Sequence, residues 1–174
     1  GEDAVVVETI DENTKVVTNK YFDLTLERKT QNPFGNYIPY ILTVKPHLDS
    51  SKTQIIWNVP STLSVNTKHK EFVSLKEGEV YTFKANIKPL RTGTYDFSVS
   101  VISWQHDTNY TNSIDDTITL NRNLVLQPTS TQFILLTILK WVLILGIFGA
   151  VCFLAIKVIK SYSVKAKKWL TPPS

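Results

Sequence analysis

The side chains that most often carry catalysis or bind metals are few and scattered in this sequence of 174 residues. The three histidines, His47, His69 and His106, lie far from one another and from the single cysteine, Cys152. Metal sites built from these residue types use short, recognisable ligand spacings, so no metal site is predicted. The sequence also has no glycine-rich phosphate loop and no Gly-x-Ser-x-Gly nucleophile motif. We therefore expect neither an enzyme nor a bound cofactor.

One segment carries side chains that suit recognition better than catalysis. Residues 104–111 read Trp-Gln-His-Asp-Thr-Asn-Tyr-Thr, and loops at strand ends commonly bind partners through such aromatic and amide groups. The candidate partner-binding residues are Trp104, His106, Asn109 and Tyr110. The alternative is that Trp104 covers the core and the remainder is a polar turn. Asn109-Tyr110-Thr111 is also an N-glycosylation acceptor sequence, which matters only in a glycosylating compartment.

A long apolar segment near the C-terminus predicts a membrane-spanning helix. Residues 141–159 would extend about 28 Å as a helix, which matches a hydrocarbon core of about 30 Å. A lone segment in lipid must be helical, because its backbone groups have to hydrogen-bond within the segment. We place the outer membrane boundary at Lys140 and Trp141. The alternative is a helix that begins near Phe133, with Lys140 reaching back to the interface or facing a polar group of a partner subunit.

The charges that flank this segment predict its orientation. Residues 157–168 contain five lysines and no acidic residue, whereas the sequence before the segment is mixed in sign. The positive-inside rule then places the C-terminus in the cytoplasm and the N-terminal domain outside the plasma membrane. Such a domain must be exported ahead of its anchor, so we expect a cleaved signal peptide before Gly1. The candidate membrane-interface residues are Lys140, Trp141, Lys157, Lys160, Lys165, Lys167, Lys168 and Trp169.

The basic excess of the protein belongs to this C-terminal part. Up to Arg122 the chain has 13 basic and 15 acidic residues, and six lysines from Lys140 onward bring the net charge to +4. This distribution gives no reason to expect nucleic acid as a partner. The expected partners are membrane lipid and other membrane or surface protein subunits. Gly146 and Ala150 lie four residues apart, a spacing at which a second membrane helix can approach closely.

Residues 1–127 alternate between apolar and polar side chains, which predicts β-strands. In the clearest case, the alternating segments 81–88 and 95–101 flank a turn at residues 89–93. About eight or nine such short strands, separated by polar or Pro/Gly turns, indicate two antiparallel sheets packed as a sandwich. The adjacent carboxylates of Asp115 and Asp116 are interpreted as a solvated turn.

Residues 79–99 read Glu-Val-Tyr-Thr-Phe-Lys-Ala-Asn-Ile-Lys-Pro-Leu-Arg-Thr-Gly-Thr-Tyr-Asp-Phe-Ser-Val. This stretch resembles the penultimate strands of immunoglobulin-like modules in bacterial and archaeal membrane-anchored surface proteins. In those modules a Gly-x-Tyr turn opens the strand and the Tyr hydroxyl bonds the preceding corner, a role that the resemblance implies for Tyr95. The stretch, with a membrane helix and a basic tail after it, is also similar in layout to the β subunit of the eukaryotic translocon-associated complex. Neither family implies catalytic residues.

The predicted fold class is all-β: an antiparallel immunoglobulin-like sandwich followed by a single transmembrane α-helix. Residues 1–127 form the extracytoplasmic sandwich, 128–140 a short linker and outer interface, 141–159 the transmembrane helix and 160–174 a basic cytoplasmic tail. Only the six residues 127–132 are polar linker between the last strand and the apolar segment, and a linker this short keeps the sandwich close to the membrane. The favoured function is a non-catalytic accessory or structural subunit of a membrane-associated surface complex. The alternative is a monomeric receptor or adhesion module that binds a glycan or peptide near Trp104.

Overall fold

The computed structural model describes residues 6–170, without the side chains of residues 9, 10, 164–168 and 170, and this part forms eleven strands and one helix. The chain divides into two compact units, Gly1–Phe133 and Ile134–Ser174. The elements are β1 (Val6–Asp11), β2 (Thr14–Thr18), β3 (Phe22–Arg28), β4 (Ile38–Pro46), β5 (Ser50–Asn58), β6 (Leu63–Thr67), β7 (Phe72–Leu75), β8 (Tyr81–Pro89), β9 (Gly93–Trp104), β10 (Asn109–Leu120), β11 (Leu126–Gln127) and α1 (Thr131–Leu170).

The strands form two antiparallel sheets that share one core. The six-stranded sheet has the order β1-β2-β3-β4-β8-β6, and the five-stranded sheet has the order β11-β10-β9-β5-β7. Within them, β3-β4-β8-β6 and β10-β9-β5 follow the A-B-E-D and G-F-C orders of immunoglobulin sandwiches. The prediction of antiparallel sheets followed by one helix is confirmed.

Side-chain alternation decides what the two sheets bury. In β4, Ile38, Tyr40, Leu42 and Val44 are buried, and the residues between them are more exposed. The pairing of β4 with β8 aligns Leu42 with Phe83, so the apolar rows of neighbouring strands lie on the same face of the sheet. Removal of such rows from water is the main force that holds two sheets together.

Three aromatic side chains meet at the centre of the core. The ring of Tyr40 from β4 lies 5.1 Å from that of Phe97 in β9 and 6.5 Å from that of Trp57 in β5, both edge-on. In antibody domains the equivalent strands B and F carry bonded cysteines, and strand C carries a tryptophan. Cys152 is the only cysteine here and lies in α1. Aromatic packing therefore joins the sheets where a disulfide does so in antibodies.

The corner before β9 has the contact that the resemblance implied. The hydroxyl of Tyr95 donates a hydrogen bond to the backbone oxygen of Thr92 at 2.7 Å. Gly93 between them has a φ of 140°, in the range that side-chain-bearing residues rarely adopt. The Gly-x-Tyr spacing thus fixes the turn from β8 into β9.

The interpretation of Asp115 and Asp116 as a solvated turn is wrong, because both residues lie inside β10. Asp115 is exposed, whereas Asp116 is only 6% exposed. Alternation along β10 turns the even-numbered residues inward, so Asp116 enters the core in the same row as Ile114 and Ile118. The first part of β10 was not predicted as a strand, because its inward-facing row contains the polar residues Asn112 and Asp116 and so lacks the apolar, polar alternation.

Asp116 is the centre of a buried polar network that links the two sheets. One carboxylate oxygen accepts hydrogen bonds from the Tyr40 hydroxyl at 2.6 Å and the Arg28 guanidinium at 3.3 Å, and Lys15 Nζ lies 3.3 Å from the other. Arg28, 10% exposed, also donates to the backbone oxygens of Glu12 and Thr117. A buried charge costs several kcal/mol unless it is paired and hydrogen-bonded. These partners meet that requirement from the opposite sheet.

The network predicts how stability responds to alkaline pH. Burial, and then the negative charge of Asp116, hold the pKa of Tyr40 well above its ordinary value of 10.0. A pKa that is higher in the folded state than in the unfolded state contributes its full stabilisation at pH values below the unfolded-state pKa, here about 10. This contribution is lost as the pH rises from about 10 toward the pKa of the folded state. Between those two pKa values, the folding equilibrium constant should fall about tenfold more per pH unit in the parent protein than in Tyr40→Phe. Urea denaturation at several alkaline pH values measures this difference, and parallel curves would contradict it.

Helix α1 is longer at both ends than residues 141–159. It begins at Thr131 and continues to Leu170, so part of the predicted linker and tail is helical. Residues 131–163 are long and apolar enough to cross a membrane, by length and composition, and none of the apolar window is buried. The ends of the predicted domains, residues 1–5 and 171–174, lie outside the described residues.

Candidate partner-binding surface

The hairpin of β9 and β10 positions the four candidate recognition residues. Trp104 pairs with Asn109 at the end of the ladder, and the backbone N–H of Gln105 donates to the oxygen of Thr108 at 3.1 Å across the turn. Since Ser103 is buried, its neighbour Trp104 faces the outside of the five-stranded sheet. Asn109 lies opposite Trp104 on the same outer face.

Tyr110 points the other way, and its ring stacks on that of Tyr21 at 4.4 Å. Lys20 Nζ lies 4.9 Å from the centre of the Tyr21 ring. The two tyrosines therefore close this end of the sandwich between its two sheets. His106, in contrast, lies exposed in the turn. The four predicted residues do not form one site, because alternation places Trp104 and Asn109 on one side of the hairpin and Tyr110 on the other.

Trp104 belongs to an outer surface that is also built by β5 and β7. Its indole N–H donates to the side-chain oxygen of Gln54 at 3.0 Å, and the Gln54 amide donates to Glu71 at 2.5 Å. Gln54 pairs with Phe72 on one side and with Ile102 on the other. The surface formed by Gln54, Phe72, Ile102 and Trp104 is called the Trp104 face below. The alternative that Trp104 covers the core does not agree with this placement.

The two aromatic rings of the Trp104 face are partly open to solvent. Trp104 is 40% exposed and Phe72 is 41% exposed, while hydrogen bonding holds Trp104 and Gln54 in place. Sequence reasoning missed Phe72 and Gln54 because their strands join Trp104 only through long-range pairing. The apolar, polar alternation within β5 was visible, but no local signal pointed to its neighbours in the sheet.

The Trp104 face lies at the opposite end of the sandwich from β11, the strand that leads to α1. β10 has 12 residues and meets β11 only at Thr119 and Leu120. At about 3.3 Å per residue, the strand separates its two ends by roughly 40 Å. A partner that binds the Trp104 face therefore contacts the end of the sandwich opposite β11.

Two of the three histidines, His47 and His69, make structural contacts. His47 Nε2 lies 2.9 Å from an oxygen of Asp23. His69 Nε2 accepts the Trp57 indole N–H at 3.1 Å, which assigns the ring proton to Nδ1, 2.9 Å from the backbone oxygen of Lys70. Within the described residues, no three His, Cys, Asp or Glu side chains converge on a point that could hold a metal ion.

The candidate membrane-interface residues all lie along α1. Trp141 is 58% exposed and Trp169 is 93% exposed, and Lys157 and Lys160 are exposed as well. The side chains of Lys165, Lys167 and Lys168 lie outside the described set. Gly146 and Ala150 are exposed on the helix, and a side chain at position 146 would meet nothing within 4 Å. Their role in helix pairing stays a prediction.

The sequence matches no protein-family model and no curated protein. Among solved structures, it is similar to a FixG-related protein from Vibrio parahaemolyticus, with 10% identity and a TM-score of 0.45 over 55% of this chain and 93% of that chain. It is also similar to the GAE domain of yeast GGA1, with 7% identity and a TM-score of 0.39 over 66% and 97% of the two chains. The GAE domain of GGA2p from Saccharomyces cerevisiae gives 14% identity and a TM-score of 0.35 over 68% and 99%. Likenesses this distant assign no family and no function.

Proposed function

We propose that this protein is a single-pass membrane protein and a non-catalytic accessory or structural subunit of a membrane-associated surface complex. Its immunoglobulin-like sandwich contacts partner ectodomains outside the plasma membrane, and its basic C-terminal end lies in the cytoplasm. The observation that carries this proposal is the unburied apolar surface along residues 131–163 of α1. Apolar surface of this extent is unfavourable in water, and a lipid bilayer removes it from water.

The lysines at the end of α1 support the proposed orientation. Five lysines follow Ile156, with no acidic residue after Asp116 anywhere in the chain. Lysine-rich segments next to a span are retained on the cytoplasmic side. The sandwich, which precedes the span, then lies outside.

The Trp104 face supports a role in protein contacts. Interfaces concentrate their binding energy in a few aromatic side chains that are held in place before the partner arrives. Trp104 meets this description, because its ring is exposed while its N–H is fixed by Gln54. The face lies at the opposite end of the sandwich from β11, so a partner ectodomain can contact it without covering the strand that leads to α1.

The test is the native mass of the full chain after extraction in a mild detergent. We expect a stoichiometric assembly, and we expect the double variant Trp104→Ala and Phe72→Ala to release the chain from it. Truncation of a central interface aromatic costs about 2 kcal/mol or more, so the two changes should weaken binding at least about a hundredfold. Val80→Ala is the matched control, since Val80 is 64% exposed in the turn before β8 and lies off the Trp104 face. A lone chain in the parent extract would contradict the subunit role.

A receptor or adhesion module is the second candidate function. It is favoured by the position of the Trp104 face at the end of the sandwich opposite β11, where a ligand can bind without covering the strand that leads to α1. This role requires a monomeric chain in nanodiscs that binds a glycan or peptide from a defined array, and loss of that binding in Trp104→Ala. Binding that survives the substitution would exclude the Trp104 face as the ligand site.

A further inference from the structure

The end of the sandwich from which the chain continues into α1 differs in charge from the opposite end. Five loops lie at this end, and four of them, residues 29–37, 59–62, 90–92 and 121–125, are called the exit end; the fifth is the turn at residues 12–13. All five together contain three basic residues and one acidic residue, Glu12, whereas the five loops at the opposite end contain five acidic and four basic residues. Lys29 pairs with Glu27 at the end of β3, so the basic character of the exit end rests on Arg91 and Arg122, both exposed.

The exit end also presents two exposed apolar side chains at its loop tips. Phe34 is 56% exposed and Leu90 is 52% exposed. The combination of apolar tips with neighbouring basic side chains is typical of surfaces that bind at a membrane interface. Acidic groups are also present on this side of the sandwich: Asp11 ends β1 and Glu12 lies in the turn after it, at the edge of the six-stranded sheet. Both line a cavity together with Leu126 and Phe133.

Hydrogen bonds hold these loops in their exposed arrangement. The backbone N–H of Phe34 donates to the side chain of Asn32 at 2.8 Å, and that of Leu90 donates to the oxygen of Thr62 at 2.9 Å. The Gln31 amide, 2% exposed, joins the first loop to the backbone oxygen of Leu124 at 2.8 Å. Surfaces ordered in advance lose little conformational entropy when they bind.

The apolar part of α1 begins immediately after the exit end in the sequence. Ile134 is 48% exposed, Leu135 is 61% exposed and Ile138 is 55% exposed. If the membrane began at Lys140, residues 133–139 would place about two turns of apolar helix in water. If the membrane begins near Phe133, these residues lie in lipid, and the five residues 128–132 between the end of β11 and Phe133 keep the exit end within reach of the headgroups.

We propose, on the basis of the proposed membrane span, that the exit end is a lipid-binding surface whose Phe34 and Leu90 enter the headgroup region while Arg91 and Arg122 bind lipid phosphate groups. The ligand is the phospholipid of the bilayer that α1 crosses. Residues 133–156 would then span about 36 Å along the helix, and a moderate tilt fits this length to a hydrocarbon core of about 30 Å. Lys140 reaches back toward the same headgroups through its long aliphatic side chain.

Depth measurements on the full chain test this proposal. In a Cys152→Ala background, single cysteines at Phe34→Cys, Leu90→Cys, Val80→Cys and Phe148→Cys carry an environment-sensitive fluorophore. The probe is a vesicle of phosphatidylcholine and phosphatidylglycerol with nitroxide-labelled lipid. We expect headgroup nitroxides to quench the labels at positions 34 and 90 several-fold more strongly than the label at position 80, which lies at the opposite end. Nitroxides deep in the acyl chains should quench the label at position 148.

The four positions separate this proposal from the proposed function. Equal, weak quenching at positions 34, 80 and 90 together with deep quenching at position 148 would overturn the lipid-binding surface and leave the span intact. Loss of quenching at position 148 would overturn both. Thermal unfolding of each variant checks its fold, and all four native side chains are exposed on the protein surface or on α1.

A pair of double variants tests whether the charges of Arg91 and Arg122 contribute to lipid binding by the exit end. Arg91→Glu with Arg122→Glu should reduce quenching at positions 34 and 90 in vesicles that contain phosphatidylglycerol, because the lipid phosphates then meet carboxylates. Lys68→Glu with Lys70→Glu, at the opposite end, is the matched control and should leave the quenching unchanged. Equal effects of the two pairs would show that general charge, and not the exit end, governs the contact.

Discussion

Replacing Asp116 with alanine should lower the free energy of unfolding by about 3–5 kcal/mol, the usual cost of removing one partner of a buried ion pair. The substitution leaves the guanidinium of Arg28, 10% exposed, without its carboxylate. It also removes the acceptor of the Tyr40 hydroxyl, which is bonded to Asp116 at 2.6 Å. Urea denaturation of the detergent-solubilised full chain, followed by tryptophan fluorescence, measures the loss.

Asp115→Ala is the matched control, since it removes the same group from the adjacent residue of the same strand. Asp115 is exposed on the outer face of β10, and changes at such positions usually stay within about 0.5 kcal/mol. Similar losses for the two variants would show that Asp116 is not part of a buried network. A smaller loss for Asp116→Asn than for Asp116→Ala is expected, because the amide oxygen still accepts the Tyr40 hydrogen bond.

Phe97→Ala should be comparably destabilising, by about 3–5 kcal/mol, because it opens a cavity in the aromatic centre of the core. Phe97 is 4% exposed, and its ring meets that of Tyr40 across the two sheets at 5.1 Å. No disulfide supports this position, so the lost contact has no covalent substitute. The same denaturation assay measures the effect.

Phe34→Ala is the control for the aromatic deletion. Phe34 is 56% exposed in the loop between β3 and β4, so its removal leaves no cavity and should change the unfolding free energy by less than about 1 kcal/mol. Thermal unfolding of both variants should show a lowered midpoint for Phe97→Ala alone. A midpoint unchanged by Phe97→Ala would mean that the aromatic cluster does not hold the sheets together.

Together these expectations describe a sandwich held by non-covalent contacts between its sheets. The aromatic cluster supplies apolar burial at the centre, and the Asp116 network supplies directional contacts between β10 and the strands β2, β3 and β4. No disulfide contributes to these contacts, because the single cysteine of the sequence, Cys152, lies in α1. Its stability should instead depend on pH at the alkaline end, where the Tyr40 hydroxyl loses its proton.

The local features of this protein were readable from the sequence. Period-2 alternation predicted β4, β8 and β9, because each strand presents one face to the core whatever strand lies beside it. The Gly93-x-Tyr95 spacing predicted the corner before β9, because that contact spans only a few residues. The apolar length of α1 predicted a helix for the same reason, since a helix makes its hydrogen bonds within one segment.

Features that depend on distant segments required the tertiary structure. The burial of Asp116 depends on Arg28 and Lys15, which lie about 90 to 100 residues earlier in the chain. These two side chains offset the cost of removing the carboxylate from water only once the sheets pack together. The Trp104 face follows from the pairing of β9 with β5 and of β5 with β7. A sequence specifies which face a side chain takes along its own strand, whereas the neighbours it meets there are decided by strand order and register.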